Sequence, residues 1–552
     1  MFYKGIIFDL DNTLYDYNLC HNFAVESVFN YLNQKYPNII INQQYEKIST
    51  DLKKELINTA SSHNKAIYFK QLLEQLNLGL DSFSTIHEIY WTSFYQKIEC
   101  FDGVNEFIKW NKLQNIKIGI LTDYETEYQI IKLESLGLLE YIDVIITSEE
   151  IGKEKPSTQM FFAILNKMDL TSENVIMIGD NFDKDIIGAN DLNIFAYWFS
   201  DEVRQKNEKY IIFNSFATLL QDFKCIYDDL INLKKISKYC GERFDLVQAG
   251  GGNVSVKTDN NWLIIKASGY NLTNVDVKNG YVLIDNAKII QDINSENVKE
   301  VLNYNVNGKK RASIETFMHS ILKKYTVHLH PIQVNRILVC ENARDIINKI
   351  YPNSFIIEYL TPGIKVCNKI KESYDNQNVI FLLNHGIIIT SDNIQEVYDL
   401  IEDVLVKFEK EQLLTDFYKY KFTNIISATV NSKFNVDNVS YLVEDLIINT
   451  YLTYKKQLFC KNVLFPDALV YCGALILDGL DNIGKMSEYP KIIIEKNMVY
   501  INANTLAKCK EIEDVLKSVL LVADSEMNKN YLTDEEICFL NSWSAEKYRK
   551  QI

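Results

Sequence analysis

With 7 prolines and 20 glycines in 552 residues, the chain carries little local punctuation and no Gly/Ser-rich linker that would announce a boundary. Domain limits therefore have to come from motifs. No stretch approaches the roughly 20 consecutive apolar residues that span a bilayer, and the opening "MFYKGIIFDLDN" turns acidic too early for a signal peptide. A cytoplasmic location without a membrane partner is the expectation. Ten cysteines run from Cys20 to Cys538 without a C-x-x-C pair, which argues against a thiolate zinc site or a redox motif and leaves buried, reduced thiols. Positive charge is in deficit as well. Against 73 Asp and Glu stand 58 Lys and Arg, and the net charge of −15 opposes nucleic acid and anionic surfaces. Small-molecule chemistry is the starting expectation, and no internal repeat or low-complexity tract redirects it.

What is present is a globular composition, 47% hydrophobic, long enough for several structural units at about 150 residues each. After a first apolar strand the pattern to about residue 100 is helical, as in "HNFAVESVFNYLNQKY" and "NKAIYFKQLLEQLNLGL", with apolar residues at three- and four-residue steps. Short apolar strands then alternate with helices: "KIGILTD", "DVIITSE", "NVIMIGD", "IFAYWFS". That alternation predicts a parallel sheet wound by βα units, closing near Phe223. Beyond Lys224 come hairpin-like strands such as "GNVSVKTDNNWLIIKASG" and "YVLIDNAKII", mixed with helices such as "IQEVYDLIEDVLVKFEKEQ". The expected architecture is α/β throughout: residues 1–223 as a Rossmann-like parallel sheet with a helical insert at about 16–95, then 224–552 as helices around a mixed or antiparallel sheet.

In the first half, polar residues gather at predicted C-terminal strand ends, where open parallel sheets bind ligands. Asp9, Asp11 and Thr13 follow the first strand; Thr122 and Asp123 end "IGILTD"; Lys155 lies in "GKEKPS"; Asp180 and Asp185 belong to "VIMIGDNFDKD". Carboxylates at one edge repel one another unless a divalent cation neutralises them, and Mg²⁺ takes such oxygen ligands. Any one acidic strand end can instead be a turn or a helix cap. The ordered set D-x-D-x-T, T, K, G-D-x-x-x-x-D resembles the haloacid-dehalogenase-like phosphatases over roughly residues 1–223. The resemblance implies Asp9 as nucleophile forming an aspartyl-phosphate and Asp11 as general acid and then base. It implies Thr122 and Lys155 on the phosphoryl group; Lys153 lies close by, but Lys155 is the one that precedes the proline. Mg²⁺ would be held by Asp9, the backbone carbonyl of Asp11, and Asp180, with Asp185 in support. The second aspartate favours phosphate substrates over haloacids, and the helical insert resembles the cap that closes over substrate.

In the second half, "YTVHLHP" reads as a strand that points His328 and His330 to one face, and "VIFLLNHGIIIT" delivers His385 from the middle of an apolar strand. Three imidazoles converging from two strands suit zinc with an open coordination position. Upstream, "QAGGGNVSVK" offers Gly250–Gly252 and Asn253 as a phosphate cradle; Ser255 breaks a dinucleotide fingerprint. "IIKASG" adds Lys266, Ser268 and Gly269, and "ASIETFMH" adds Ser313 and Glu315.

The order G-N-x-S, K-A-S-G, S-x-E, H-x-H-P, N-H-G over residues 240–390 resembles the class II zinc aldolases of the fuculose and rhamnulose phosphate type, in the aldolase/adducin superfamily. "LFPDALVYCG" and "LTDEEICFLNSWSAEKYRK" resemble closing segments of the long bacterial rhamnulose-phosphate aldolase/dehydrogenase, here without the dehydrogenase. The resemblance implies Zn²⁺ on His328, His330 and His385, polarising a carbonyl and stabilising the enediolate of dihydroxyacetone phosphate. Glu315 would be the acid/base, with Asn253, Ser268, Gly269 and Ser313 on the phosphate. Some relatives carry a second serine where Ile314 stands, and His319 reads as a neighbour rather than a ligand. The superfamily also holds sugar-phosphate 4-epimerases, a dehydratase and the metal-free adducin scaffold, so these stay open beside aldol chemistry. The expected whole is a bifunctional enzyme of sugar phosphates, with homo-oligomers of tetrameric type implied by the resemblance.

Overall fold

Four apolar residues, Gly5–Phe8, form β1 at the centre of the first sheet, hydrogen-bonded on both sides and buried throughout. The computed structural model describes residues 3–37, 41–57, 59–202, 209–306, 310–409, 417–459, 463–524 and 530–542. Among them β2 (Lys117–Thr122), β3 (Val144–Thr147), β4 (Val175–Gly179), β5 (Phe195–Phe199) and β6 (Tyr210–Phe213) complete an all-parallel sheet in the order β3-β2-β1-β4-β5-β6. β6 is the strand that the sequence pattern did not single out.

Successive residues point to opposite faces, and the two faces are two cores. Ile6, Phe8, Ile118, Ile120 and Ile178 belong to one. Ile7, Leu121, Ile146, Met177 and Trp198 belong to the other, under the helix Thr158–Met168. That helix approaches closely because Gly119 has no side chain: a Cβ there would stand 2.8 Å from both Ile164 Cδ1 and Met168 Sδ.

Among the described residues, the helical insert after β1 holds α1 (Tyr17–Lys35), α2 (Ile41–Glu55), α3 (Lys65–Gln75) and α4 (Phe83–Lys97). Asp16 starts α1 by accepting from the Leu19 amide at 2.8 Å, and Asn64 starts α3 by accepting from the Ile67 amide at 3.0 Å. Cys20, Ala24, Val28, Phe69, Tyr90 and Phe94 from this insert share a core with Ile6 and Phe8. After α5 (Val104–Leu113), α6 (Thr126–Ser135) follows β2.

Contacts divide the chain into two compact units, Met1–Asp228 with Asn305–Lys309, and Asp229–Tyr304 with Lys310–Ile552. The second contains a mixed sheet of β7 (Asn253–Lys257), β8 (Trp262–Lys266), β9 (Tyr281–Asp285), β10 (Tyr325–Leu329), β11 (Phe355–Ile357), β12 (Val379–Leu382) and β13 (Gly386–Ser391). Its order is β11-β12-β13-β10-β7-β8-β9, antiparallel except for β11 with β12. The expected β7–β8 hairpin is there, in the register Ser255↔Ile265. "YVLIDNAKII" is not a hairpin, however. Its second half is the helix Asn286–Asn294, because Asp285 caps it by accepting from the Lys288 amide at 3.1 Å.

Residues 439–503 build a further four-stranded sheet, β14 (Val439–Leu442), β15 (Ile476–Asp478), β16 (Ile492–Glu495) and β17 (Met498–Ala503), in the order β14-β17-β16-β15. "LFPDALVYCG" contributes the helical turn Ala468–Cys472, and "LTDEEICFLNSWSAEKYRK" contributes the helix Asp534–Ser542; its residues 543–550 lie outside those described. Among the described residues, no helix is long and apolar enough to cross a membrane.

Glu242 is a buried carboxyl in this second unit, accepting from Ser427 Oγ at 2.8 Å and Asn424 Nδ2 at 2.7 Å. Burial outweighs these bonds and pushes it from the ordinary 4.5 up to about 7. A carboxyl raised on folding stabilises the protein fully below the unfolded value and stops doing so as pH rises through the folded one. Glu242→Gln, which stays neutral, should therefore melt at a higher temperature than the unchanged protein at pH 8, with the difference shrinking steadily toward pH 5. A difference independent of pH between those limits would contradict this assignment.

Candidate active sites

In the first unit the strand ends deliver a packed charge cluster. Asp9 follows β1, Asp180 follows β4, and Asp185 lies in the helical turn Phe182–Ile187; one oxygen from each falls within 4.8 Å of the others. Gly179 makes this possible, since a Cβ there would stand 2.4 Å from Asp185 Oδ2. Lys155 reaches between them, donating to Asp9 Oδ1 at 2.5 Å and to Asp185 Oδ1 at 2.7 Å. Thr13 donates to Asp9 Oδ2 at 3.1 Å and accepts from the Asp180 amide at 3.0 Å.

Three carboxylates against one ammonium leave a buried negative surplus. Burial first, and then the repulsion of Asp185 and Asp180, hold the Asp9 carboxyl well above its usual range despite Lys155. Burial and Asp185 push Asp180 up to about 6. An all-oxygen donor set with surplus negative charge fits a hard divalent cation such as Mg²⁺.

The Asp11 carboxylate lies outside this group. Lys132, on the buried face of α6, donates to its two oxygens at 2.8 and 3.1 Å, and the Tyr15 hydroxyl donates to it as well. Burial pushes Asp11 up, but the Lys132 ammonium and these hydrogen bonds more than offset it and hold the carboxyl below its usual range. Thr122 Oγ1 accepts from Gln129 Nε2 at 2.5 Å, and Gln129 also donates to Asp11 Oδ2 at 3.3 Å. The neighbouring Asp123 accepts from the Lys155 amide at 2.9 Å and from Lys184 Nζ at 2.8 Å.

Sequence reasoning passed over Lys132, Gln129 and Tyr15. The available signal was a lysine and a glutamine on the core-facing side of α6, where a solvated residue is not expected. All of the first-half candidates, Asp9, Asp11, Thr122, Lys155, Asp180 and Asp185, line one cleft of about 340 Å³.

In the second unit His328 sits within β10, His330 immediately after it, and His385 in the turn that joins β12 to β13. His385 is thus not in the middle of a strand as its apolar flanks suggest. Asn384 adopts φ +58°, a left-handed conformation that asparagine tolerates, and the register Leu382↔Gly386 closes a three-residue hairpin turn around it. The Nε2 atoms of His330 and His385 stand 3.1 and 3.3 Å from that of His328. Tetrahedral nitrogen ligands at about 2.05 Å from one ion stand about 3.3 Å apart, so the spacing fits zinc.

His328 Nδ1 lies 3.0 Å from the Ile387 carbonyl, so that nitrogen is the donor and Nε2 keeps its lone pair for a metal. Gly386 and Gly251 give the rings room: a Cβ at Gly386 would lie 2.8 Å from His330 Cδ2, and one at Gly251 would lie 3.1 Å from His330 Nδ1. Burial and the two neighbouring imidazoles push His330 down to about 4, which leaves it neutral, the form that ligates.

Glu315 lies beside this group, its Oε1 3.3 Å from His328 Nε2 and 3.8 Å from His385 Nε2. Its other oxygen accepts from Asn253 Nδ2 at 3.4 Å, and its amide donates to Ser313 Oγ at 3.2 Å. Burial pushes the Glu315 carboxyl up, but the neighbouring His328, His319 and His385 more than compensate and lower it. An antiparallel bridge between Ala267 and Ala312, with the Ser268 amide donating to the Arg311 carbonyl at 2.8 Å, sets the Ser268 and Ser313 loops side by side. Gly269, at φ +81°, turns the first of these loops in a conformation that glycine takes freely. His319 lies apart from the three-histidine group and bonds Ser255 Oγ at 2.7 Å.

Comparison with known proteins agrees with this two-part layout. Residues 6–199 match the haloacid dehalogenase-like hydrolase family, and residues 234–407 match the class II aldolase and adducin N-terminal domain. A ribulose-1,5-bisphosphate 5-phosphatase of Halopiger xanaduensis is 32% identical over 202 residues, covering 35% of this chain and 84% of that protein. A glyceraldehyde 3-phosphate phosphatase of Methanocaldococcus jannaschii is 31% identical over 200 residues, covering 35% of this chain and 83% of that protein. The structure of an N-terminal class II aldolase domain from Thermoplasma acidophilum is 24% identical and covers 38% of this chain and 97% of that one, with a TM-score of 0.31. The chain belongs to the haloacid dehalogenase-like hydrolases, and behind that hydrolase domain it carries a class II aldolase and adducin domain.

Proposed function

We propose that the protein is a bifunctional sugar-phosphate enzyme, a Mg²⁺-dependent phosphatase joined to a Zn²⁺-dependent aldolase. The observation that carries the first half is the Asp9–Lys155–Asp185 cluster in a cleft beside Asp11. Asp9 attacks phosphorus, forming an aspartyl-phosphate as the ester bond breaks, and Asp11, which must enter this step protonated, delivers that proton to the departing oxygen. Asp11 then takes a proton from water as that water displaces phosphate and frees the Asp9 carboxylate. Lys155 and Thr122 hold phosphoryl oxygens. Mg²⁺ held by Asp9, Asp180, Asp185 and the Asp11 carbonyl would supply the positive charge that lets the ester approach this acidic edge. Two relatives named as phosphatases of small phosphorylated sugars support this reading.

For the second half the carrying observation is the convergence of three Nε2 atoms with Glu315 alongside. Zn²⁺ on His328, His330 and His385 would supply Lewis-acid polarisation of a carbonyl oxygen. Glu315 moves the proton at the nucleophilic carbon of dihydroxyacetone phosphate, and Asn253, Ser268, Gly269 and Ser313 bind its phosphate. The deprotonated carbon adds to the carbonyl carbon of an aldehyde, whose oxygen takes up a proton, giving a ketose phosphate, and the reverse sequence cleaves it. Removal of phosphate by the first half would then make condensation irreversible. The same reading puts the enzyme in the cytoplasm as a homo-oligomer, with sugar phosphates as its partners.

Asp9→Asn should reduce phosphate release from small sugar phosphates at least about a thousandfold, and chelation followed by Mg²⁺ alone should restore the unchanged protein. Undiminished release by the variant would remove Asp9 from the nucleophile's role.

Dihydroxyacetone phosphate plus a small aldehyde should give a ketose phosphate, detected by mass spectrometry, and His328→Ala should lose both bound zinc and that product. A metal-free second half, or full turnover by the variant, would favour an adducin-like scaffold. An epimerised or dehydrated sugar phosphate in place of the aldol product would favour those chemistries.

A further inference from the structure

The cleft of the first unit has an end that the proposed phosphoryl chemistry leaves unused. Away from the acidic cluster it is lined by residues of the helical insert, among them Lys65 at the start of α3, Lys53 of α2, and Tyr17 and His21 of α1. Lys65 is only 5% exposed. Its ammonium donates to the His63 carbonyl at 3.2 Å and stands 4.9 Å from the Tyr68 ring centre, but no carboxylate of the described residues forms an ion pair with it. Lys53 likewise forms no ion pair among the described residues. Elsewhere in the cleft the cations are matched: Lys132 by Asp11, Lys155 by Asp9 and Asp185, and Lys184 by Asp123 and Glu154.

A buried ammonium without an ion-paired counter-ion is costly, and here burial and the charges of Lys53 and Lys132, only partly opposed by the more weakly acting Asp11 and Glu125, push Lys65 down to about 7. His21 offers no compensation. It bonds the Tyr90 hydroxyl at 2.8 Å, and burial with the same lysines holds it down to about 2, as a neutral ring. Tyr17 spans the ground between the two ends, its ring centre 5.9 Å from the Lys65 ammonium and 5.2 Å from that of Lys132. The cleft therefore holds a phosphoryl site at one end and an unmatched cation, shielded from water, at the other. A free ester with one phosphate satisfies only the first.

We propose that Lys65, assisted by Lys53, binds a second anionic group of the substrate, so that the preferred esters are small phosphorylated sugars carrying a further phosphate or a carboxylate. The proposal rests on the phosphatase reading and narrows its substrate class. An oxyanion brought to Lys65 gains a charge-assisted hydrogen bond in a dry setting and relieves the repulsion among the lysines.

The test measures inorganic phosphate released by the full chain from paired substrates. Ribulose 1,5-bisphosphate against ribulose 5-phosphate reports on a second phosphate, and 3-phosphoglycerate against glyceraldehyde 3-phosphate reports on a carboxylate. In at least one pair the doubly anionic ester should have a kcat/KM about tenfold higher or more, the scale of one charge-assisted bond. Lys65→Met should erase most of that ratio, chiefly through KM, and the exposed Lys53→Ala, which leaves the core intact, should reduce it less. No preference in either pair, or variants that slow both members of a pair equally, would overturn the inference while leaving the phosphatase reading standing. Failure to hydrolyse any ester, p-nitrophenyl phosphate included, would overturn both.

Discussion

The first unit depends on one ammonium placed among three carboxylates. Lys155 holds Asp9 and Asp185 together, and without it the ends of β1 and β4 would carry only mutually repelling charge in a buried setting. The parallel sheet makes the concentration unavoidable. Strands buried on both faces admit no polar side chain along their length, so aspartates appear only where the strands stop. All the strands run the same way, and the stops therefore fall at one edge. Gly179 then lets Asp185 fold back against the end of β4. The same electrostatics that makes this edge unstable alone makes it receptive to a cation and, through that cation, to a phosphate.

The second unit meets a different constraint, the convergence of neutral rings. Imidazoles need no counter-charge to be buried, but their lone pairs must all point inward, and this is controlled at a distance by backbone groups. The Ile387 carbonyl fixes the orientation of His328, Gly386 and Gly251 leave space for His330, and the hairpin turn at Asn384 swings His385 into reach. Glu315 completes the arrangement, its carboxylate beside the Nε2 atoms of His328 and His385. The Glu315 carboxyl is lowered, against its burial, by the imidazoles beside it, whereas Asp9 is raised by burial and by the carboxylates beside it.

Most of this was legible in the sequence wherever a residue acts through its position on an element. The alternation of short apolar strands with helices located β2 to β5, the strand ends located Asp9, Asp11 and Asp180, and the ordered motif added Lys155 and Asp185. The pair His328 and His330 followed from the two-residue period of a strand. What escaped depended on three-dimensional partners. Lys132 looks like any helical lysine until Asp11 is seen opposite it. His385 looked like a strand residue because Leu382, Leu383 and Ile387 flank it, and the turn is specified by the left-handed Asn384 alone. "NAKII" looked like a strand until Asp285 was seen to cap a helix. The sheet of residues 439–503 was not separated from the rest because its strands carry no chemical motif.

Charge matching also explains why the two ends of the N-terminal cleft differ. Lys132, Lys155 and Lys184 each lie on the sheet side and each meets carboxylates that the strand ends and adjoining loops supply at fixed distances. Lys65 lies at the first position of a helix belonging to the insert, and the aromatic residues around it, Tyr17, Tyr68 and Tyr124, offer ring faces and hydroxyls but no formal negative charge. A tyrosine shell can hold an ammonium in place through its ring quadrupoles, yet such contacts are weaker than an ion pair and leave the charge available. The acidic edge is thus suited to reacting with a phosphate once a cation is present, and the tyrosine-walled end is suited to holding an anion without reacting with it. Chemistry and selection fall to different elements, the first to a sheet whose geometry is fixed by hydrogen-bonded register, the second to helices whose surface residues can vary without disturbing that register.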